Sequence, residues 1–501
     1  MKDLLFLQQG NEYVCMKKFF ITNLIFLLTL NVFIKSFWIL GIDRSVQNAL
    51  PAGEYGLYYA LLNFTYIFNI ILDLGITNFN NRTIAQNSVL LKKYFAKIIP
   101  LKFILAAVYA IVLFTVAFIT RYDSYAMHLL GGLCIFQILT SVLTYLRSNI
   151  SALLLFKTDS LLSILDKTLT IIFCSVILWT PLLNCKMNAQ NFISVQILSM
   201  SLSVITALII CLTKSGFIRI SWDVKFMATV LKQGAPYALL TLLMSFYNRM
   251  DSVMLERMAD NGKIASEIYA SGFRLVDSVN MIAYLFSVIL LPLFAKLIKE
   301  KGNITEIVKV SFSLLFIIST VFACLSFAYS NELMQLMYNK HIEQSSQVYK
   351  LLSLCFIPVS TTYVFGTLLT ANGSLKKLNI VASCGMILNI SINILLIPKY
   401  SQMGSAVASL SAQTITALLQ VIIALSVFKI KVSKFYLLHL LLFLTGIIIL
   451  TAIVKSTGIS MVYAVVILLF CYTATAFACK IFSLNEIKLY IADFIHKKDK
   501  N

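Results

Sequence analysis

Long apolar stretches recur along almost the whole chain, and they constrain its fold more than any other feature. A helix needs about 20 predominantly apolar residues to cross a bilayer, and windows of that size between polar breaks give fourteen candidate spans. Only 12% of the residues are charged, against about 25% in soluble domains. The sequence therefore predicts an all-α polytopic membrane protein. The spans cover residues 18–40, 54–79, 95–120, 125–146, 159–183, 190–212, 234–256, 266–294, 306–329, 348–370, 378–397, 405–428, 435–454 and 459–479.

The distribution of basic residues predicts the orientation of these spans. The chain has 41 Lys and Arg against 21 Asp and Glu, and a soluble domain of such charge would suggest nucleic-acid binding. When basic residues towards the end of a span are counted with the adjoining segment, 28 lie on the side of the termini, nine lie on the opposite side and four lie deeper inside spans. Because Lys and Arg are retained in the cytoplasm, we predict a multi-pass protein of the cytoplasmic (inner) membrane with both termini cytoplasmic and no nucleic-acid partner.

Little of the chain lies outside the spans. The longest outer segment is 330–347, so there is no room for a soluble catalytic domain, and the ten cysteines include no C-x-x-C pair. A disulfide framework or zinc site is not indicated. We therefore predict no enzymatic activity, no metal and no cofactor.

A weak internal repeat divides the chain into two lobes. Four positions match at an offset of 214 residues, namely Lys35 with Arg249, Tyr55 with Tyr269, Gly56 with Ala270 and Arg82 with Lys296. Chance agreement is the alternative, but repeats are common in transporters, where the site lies between them. The predicted organisation is an N-terminal lobe (1–212, spans 1–6), a cytoplasmic interfacial linker helix (213–233), a C-terminal lobe (234–430, spans 7–12), an appended helix pair (431–482) and a basic cytoplasmic tail (483–501).

Charged residues inside spans are candidates for function, because each costs about 2.5–3.5 kcal/mol to insert at the centre of a helix. Three cations, Lys35, Arg249 and Arg274, fall at similar depth, and Lys167 with Asp166 forms a weaker candidate nearer a span end. The remaining acids are Asp73, Asp251 and Asp277.

The spacing of these charges predicts some of their partners. Asp277 lies one turn from Arg274 and can pair with it. Asp251 lies two residues from Arg249, so it faces away and requires a partner on another helix or a bound ion. If one pair cancels, a net positive cavity suited to phosphate, pyrophosphate or acidic sugar remains. The alternative is that all of these charges form structural ion pairs.

Amides inside the spans suggest contacts with sugar hydroxyls. Asn389 and Asn393 share one helix face at i and i+4, and Asn63 lies in the second span. The same side chains equally serve to hold transmembrane helices together.

Three segments resemble a known family. Residues 54–85, which begin EYGLYYALLNFTYIF, resemble the second-helix signature of oligosaccharide flippases, the polysaccharide-export members of the multidrug/oligosaccharidyl-lipid/polysaccharide exporter superfamily. The segments YNRMDSVML (247–255, followed by 267–282) and GTLLTANGSLKKLNIVASCG (the start of 366–413) resemble this family as well.

The resemblance implies a two-lobed transporter that moves undecaprenyl-pyrophosphate-linked oligosaccharide repeat units from the inner to the outer leaflet. Such a flippase supplies O-antigen of lipopolysaccharide, capsule or exopolysaccharide, and acts beside a glycan polymerase and a chain-length regulator. The related lipid II flippases place cavity cations on the first, second and eighth helices, and by helix and depth Lys35 and Arg274 match two of them. We expect substrate contacts from Lys35, Arg249, Arg274, Asn63, Asn389 and Asn393, and coupling to protons or sodium through Asp73, Asp251 or Asp277.

Three alternatives remain open. A cation-coupled multidrug exporter of the same superfamily has twelve spans and acidic sites. A lipid II flippase carries a cation deep in the second helix, where the only charge here is Asp73. A glycan polymerase or ligase typically relies on a large outer loop with catalytic Arg or His, and this chain has four His and no such loop.

Overall fold

The protein is a bundle of long helices. The computed structural model describes residues 31, 33–153, 155–180, 186–216, 221–300 and 302–479, and within these ranges every regular element is helical. The tail from 483 lies outside them. The elements are α1 (Trp38–Asp43, a π-helical turn), α2 (Arg44–Ala49), α3 (Glu54–Phe68, continued by a 3₁₀ turn Asn69–Leu72), α4 (Ile76–Gln86, followed by a 3₁₀ turn Ser88–Leu90), α5 (Leu91–Ile119), α6 (Ser124–Ala152), α7 (Phe156–Trp179), α8 (Ala189–Ser215), α9 (Val224–Met258), α10 (Gly262–Glu300), α11 (Ile304–Ala328), α12 (Ser330–Met337), α13 (Ile342–Leu354), α14 (Phe356–Ala371), α15 (Leu375–Phe428), α16 (Lys434–Ser456) and α17 (Met461–Ala478).

The predicted fold class is confirmed. Eleven helices in the described ranges are long and apolar enough to cross a membrane. One of them, α15, is 54 residues long and covers two predicted spans, with a break at Ser401 (φ 48°) three residues after Pro398. Proline removes a backbone hydrogen bond and bends a helix, which explains why the break falls here. Helix α9 is not among these eleven, but it covers the seventh predicted span. The described helices thus cover every predicted span except the first, most of which lies outside the described residues.

Two predicted boundaries differ from the structure. The second span ends at Leu72 rather than at 79, because Leu74 and Gly75 adopt positive φ angles (43° and 84°) and start a new helix, α4. The predicted linker helix is not a separate element: α8 extends to Ser215, and α9 begins at Val224 and continues to Met258.

The start of α9 is docked on the N-terminal lobe. Lys97 Nζ of α5 lies 2.5 Å from Asp223 Oδ2, and the N–H of Ser221 donates to the carbonyl of Ala96. The hydrogen bond from Lys97 and that from the backbone N–H of Phe226 hold the pKa of Asp223 below its usual range. The connection between the lobes is therefore anchored to α5.

The buried core shows how the two lobes meet. The largest buried cluster contains residues of both lobes, among them Trp38, Tyr55 and Phe192 on one side and Leu255 and Tyr269 on the other. This cluster lies at the end of the bundle where α3 and α10 begin, which we call the closed end.

Towards the opposite end the lobes have separate cores. One surrounds Phe95 and Tyr145 of the N-terminal lobe, and the other surrounds Phe294 and Phe365 of the C-terminal lobe. The lobes therefore share one core at the closed end and have separate cores at the other, where the start of α9 still contacts α4 and α5.

The last two helices form an appendage to the C-terminal lobe. Phe443 of α16 and Leu468 of α17 pack with Tyr329 in a cluster of their own against α11. Ser313 and Tyr436 share a 2.7 Å hydrogen bond across this contact. Neither α16 nor α17 lines the cavity described below.

Candidate functional site: a cavity between the lobes

A cavity of about 900 Å³ separates the two lobes in the half of the bundle away from the closed end. Its walls come from the second halves of α3 and α6, the middle of α9 and α10, and parts of α14 and α15. Ligand cavities commonly measure about 300–1,000 Å³, so this one has room for a large head group. Among the described residues its lining contains three charged side chains, Asp73, Arg249 and Asp277.

Arg249 lies where both lobes meet the cavity. Its Nη1 is 3.5 Å from Asp277 Oδ2 of α10 and donates to Asn63 Oδ1 of α3 at 3.4 Å. The guanidinium carbon lies 5.3 Å from the ring centre of Tyr66 and 6.0 Å from that of Phe273. Arg249 thus contacts both lobes while remaining about one-third exposed.

Arg274 occupies a different environment from the one predicted. Its Nε lies 2.9 Å from Asp43 Oδ2 and 3.2 Å from the hydroxyl of Tyr55, and its guanidinium stacks over Tyr59. Asp43 is only 1% exposed. The expected pair of Arg274 with Asp277 is wrong, because Asp43 on a packed helix reaches Arg274 while Asp277 turns to Arg249. The expected net positive cavity is wrong as well. Arg249 and Arg274 each have an acidic partner, and Arg274 does not line the cavity.

Arg274→Gln is expected to destabilise the protein, because it leaves the buried Asp43 carboxylate without its counter-charge. Breaking a buried ion pair costs about 3–5 kcal/mol, which should appear as a clear fall in the unfolding temperature in detergent. The double variant Asp43→Asn, Arg274→Gln removes both charges and is expected to recover much of that loss. An unfolding temperature unchanged by Arg274→Gln would contradict a structural role for the pair.

Asp251 forms a second buried polar centre inside the C-terminal lobe. Its Oδ1 accepts hydrogen bonds from Asn389 (2.9 Å) and Asn393 (2.8 Å), and its Oδ2 accepts one from the hydroxyl of Tyr269 (2.8 Å). Asp251 therefore faces away from Arg249, as expected, and its partners lie on other helices. Asn389 and Asn393 are fully buried and do not line the cavity, so in this conformation they act as interhelical contacts.

The two tyrosines matched by the internal repeat make equivalent contacts. Tyr55 donates to Asp43 at 2.7 Å, and Tyr269 donates to Asp251 at 2.8 Å. Each tyrosine lies near the start of a helix that runs from the closed end, and each aspartate is buried on an element that precedes it. This parallel favours a repeat over chance agreement.

Lys35 lies in the N-terminal lobe, outside the lining of the cavity. It is partly exposed and forms no ion pair with a described residue. Nearby, Lys167 pairs with Asp166 at 3.2 Å and lies over the ring of Trp38. Lys167 is thus satisfied by its neighbours.

Asp73 lies at the break between α3 and α4 and is paired. Lys102 Nζ is 2.8 Å from Asp73 Oδ1 and also donates to the carbonyl of Leu72 and the hydroxyl of Ser141. The carboxylate further caps α4 by accepting from the N–H of Thr77. The count of basic residues assigned Lys102 to the cytoplasmic side. Its position inside the third predicted span, however, indicates an intramembrane charge. Sequence reasoning missed Asp43 too, which lies just past the predicted end of the first span.

The closed end is held by direct contacts between the lobes. The backbone of Gly56 packs so tightly on α10 that an added Cβ would lie 1.8 Å from the carbonyl oxygen of Lys263. The N–H of Gly53 donates to the carboxylate of Glu267, and Gln47 donates to the Ser271 hydroxyl at 2.7 Å. Further contacts across this end join Arg44 and Asn48 to the carbonyl of Met337, Lys340 to the carbonyl of Leu50, and Arg257 to the carbonyl of Thr120.

Residues 21–298, more than half of the chain, match the family model described as polysaccharide biosynthesis protein. The chain belongs to this family. This membership confirms the resemblance to polysaccharide-export proteins that the sequence motifs indicate. No curated protein matches the chain.

Solved structures similar to this polysaccharide biosynthesis protein share its fold. The lipid II flippase MurJ in an inward closed conformation has a TM-score of 0.69 and 15% identity, covering 90% of this chain and 98% of its own. An inward-facing multidrug resistance transporter of the MATE family has a TM-score of 0.60, 11% identity and coverage of 80% and 94%. A transporter of the MOP superfamily from Pyrococcus furiosus has a TM-score of 0.55, 9% identity and coverage of 81% and 94%. Family and fold together identify a multi-pass membrane protein of polysaccharide biosynthesis that shares the fold of these transporters and flippases.

Proposed function

We propose that this protein flips undecaprenyl-pyrophosphate-linked oligosaccharide repeat units from the inner to the outer leaflet of the cytoplasmic membrane, for O-antigen, capsule or exopolysaccharide assembly. The observation that carries the proposal is the cavity of about 900 Å³ between two lobes that share a buried core at the closed end, with Arg249 in its wall. With both termini cytoplasmic, the closed end faces the outside and the cavity faces the cytoplasm.

The physical task is to carry a large polar head group across about 30 Å of hydrocarbon while its polyprenyl chain stays in lipid. In the proposed cycle the head group enters the cavity and Arg249 contacts the pyrophosphate through charge-assisted hydrogen bonds, while Asn63 of the opposite lobe, buried outside the lining, accepts a hydrogen bond from the guanidinium until a later stage exposes it. The closed end then opens towards the outer leaflet. Because Arg274 and Asp43 lie in different lobes, that opening separates them and exposes Arg274 to the substrate.

Lys35, Asn389 and Asn393 remain proposed contacts for later stages of the cycle, since none of them lines the cavity in this conformation. A glycan polymerase and a chain-length regulator are the proposed protein partners, because the translocated repeat units are their substrates.

Among the proposed coupling residues, Asp251 has the environment best suited to binding a proton or sodium. Asp73 and Asp277 each have a basic partner, whereas Asp251 forms no ion pair with a described residue. A buried carboxylate without a counter-charge is costly, and a bound proton or cation removes that cost. The adjacent Asn393 Oδ1 is also buried without a hydrogen-bond partner among the described residues, so it is available as a further ligand.

The proposal predicts where the substrate accumulates. In a deletion strain, the lipid-linked oligosaccharide is expected to remain inaccessible to a glycosidase added outside spheroplasts, and expression of this protein should restore its accessibility. Proteoliposomes with an imposed sodium or proton gradient should show faster transfer than without one, and Asp251→Asn should remove that response.

Other outcomes of the same experiment would favour the alternatives. Translocated but unpolymerised repeat units in the deletion strain would indicate a polymerase. Drug resistance without any change in surface glycan would indicate a multidrug exporter, and transfer of lipid II alone would indicate a lipid II flippase.

A further inference from the structure

We infer that the cavity selects an uncharged glycan head group over an acidic one, and that Asp277 sets this preference. The inference rests on the proposed flippase function and narrows the class of its substrate. It follows from the charge balance of the cavity, from its hydrogen-bonding groups and from its aromatic surfaces.

The charges in the cavity lining cancel once Lys102, which lies behind it, is counted. Arg249 lies 3.5 Å from Asp277, and Asp73 lies 2.8 Å from Lys102, which is buried directly behind it. Arg274 lies outside the lining and is paired with Asp43. Among the described residues, an acidic sugar entering the cavity therefore meets two carboxylates and no cation that lacks an acidic partner.

The pyrophosphate of the lipid carrier uses the donors that remain on Arg249. Both contacts of its guanidinium to protein oxygens are made by Nη1, and they are long, at 3.4 and 3.5 Å. A guanidinium has five N–H donors in a fixed fork, so Nε and Nη2 stay available for an anion. The pyrophosphate is common to every substrate of the class, and it occupies Arg249. No other cation in the described lining is then left for a carboxylate on the glycan.

The uncharged polar groups of the cavity favour hydroxyl donors. Asn280 Oδ1, Thr362 Oγ1 and Gln420 Oε1 belong to lining residues and have no hydrogen-bond partner among the described residues. Gln420 is only 5% exposed. A sugar hydroxyl can donate to such oxygens, whereas an ionised carboxylate can only accept. All three oxygens are buried in this conformation, so they match a neutral, hydroxyl-rich ligand once their side chains turn towards the cavity.

Aromatic rings provide the remaining surface. Tyr66 and Phe273 flank Arg249, and Tyr284 and Tyr363 form an edge-to-face pair with centroids 6.4 Å apart further along the wall. Such rings present apolar faces with polar edges, which suit the C–H faces of pyranose rings and give no attraction to a carboxylate.

The test compares two lipid-linked oligosaccharides that differ only in a hexose or a hexuronate at one position. In proteoliposomes of the full-length protein, we expect the hexose form to be transferred roughly tenfold faster, which corresponds to about 1.4 kcal/mol. Asp277→Asn removes one cavity carboxylate and should bring the ratio of the two rates close to one. Asn280→Lys adds a cation without breaking the Arg249 pair and should lower the ratio as well.

The matched control is Asp260→Asn, which removes a carboxylate outside the cavity lining and should leave the ratio unchanged. Equal rates, or faster transfer of the hexuronate form by the natural protein, would overturn the selectivity while leaving the flippase function intact. A ratio that neither Asp277→Asn nor Asn280→Lys changes would overturn the role of cavity charge. Failure to transfer either lipid would instead count against the proposed function.

Discussion

Arg249→Gln is expected to slow transfer of the lipid-linked oligosaccharide by roughly 30-fold or more. Arg249 is the one cation in the described lining of the cavity, and a hydrogen bond to a charged group contributes about 1.5–3 kcal/mol, where each 1.4 kcal/mol is tenfold. The measurement is the rate of transfer in proteoliposomes, normalised to the amount of folded protein.

Two further variants separate charge from geometry. Arg249→Lys keeps the positive charge but loses the planar fork that binds phosphate through two parallel hydrogen bonds, so an intermediate rate is expected. Lys296→Gln makes the same loss of charge on an exposed side chain and should leave transfer unchanged. If the double variant Arg249→Gln, Asp277→Asn transfers as fast as the natural protein, Arg249 serves only to pair with Asp277 and the proposed contact with pyrophosphate is wrong.

Much of the fold follows from local properties of the sequence. Runs of apolar residues long enough to span a bilayer define the helices, because any backbone in lipid must satisfy its hydrogen bonds internally. The break after Leu72 was missed because the residues around it, Ile71 and Leu74, are apolar. The two spans predicted at 378–397 and 405–428 correspond to the two parts of α15, which lie on either side of the break at Ser401.

The site could be predicted only in part. Arg249 and Asp277 were recognisable because charges inside a span are costly, and both line the cavity. Their pairing was not, because it depends on how α9 and α10 are rotated against each other. Asp43 reaches Arg274 only because the lobes pack at the closed end, a contact between residues that are far apart in the chain.

Gly56→Ala is expected to prevent the closed end from forming as it is seen here. The added Cβ would lie 1.8 Å from the carbonyl oxygen of Lys263 and 2.7 Å from the N–H nitrogen of Glu267. Both are backbone atoms of α10 that cannot move aside alone, so the two helices must separate. Overpacking costs about 1–3 kcal/mol and occasionally more, and a two-state equilibrium between closed and open ends shifts by the corresponding factor, roughly 5-fold to more than 100-fold.

Disulfide crosslinking across the closed end measures this shift. Asn48 and Asn339 touch there, since the N–H of Asn339 donates to Asn48 Oδ1 at 3.2 Å, so Asn48→Cys with Asn339→Cys should crosslink efficiently and Gly56→Ala should lower the yield. Gly131→Ala is the matched control, because a Cβ at this glycine of α6 meets no atom within 4 Å. The same methyl group added there should leave both crosslinking and transfer unchanged.

Because a flippase must close this end in every cycle, Gly56→Ala should also abolish most transfer. Full crosslinking in Gly56→Ala would show that the α3–α10 approach does not control closure, and that the polar contacts of Gln47 and Lys340 hold the end shut without it.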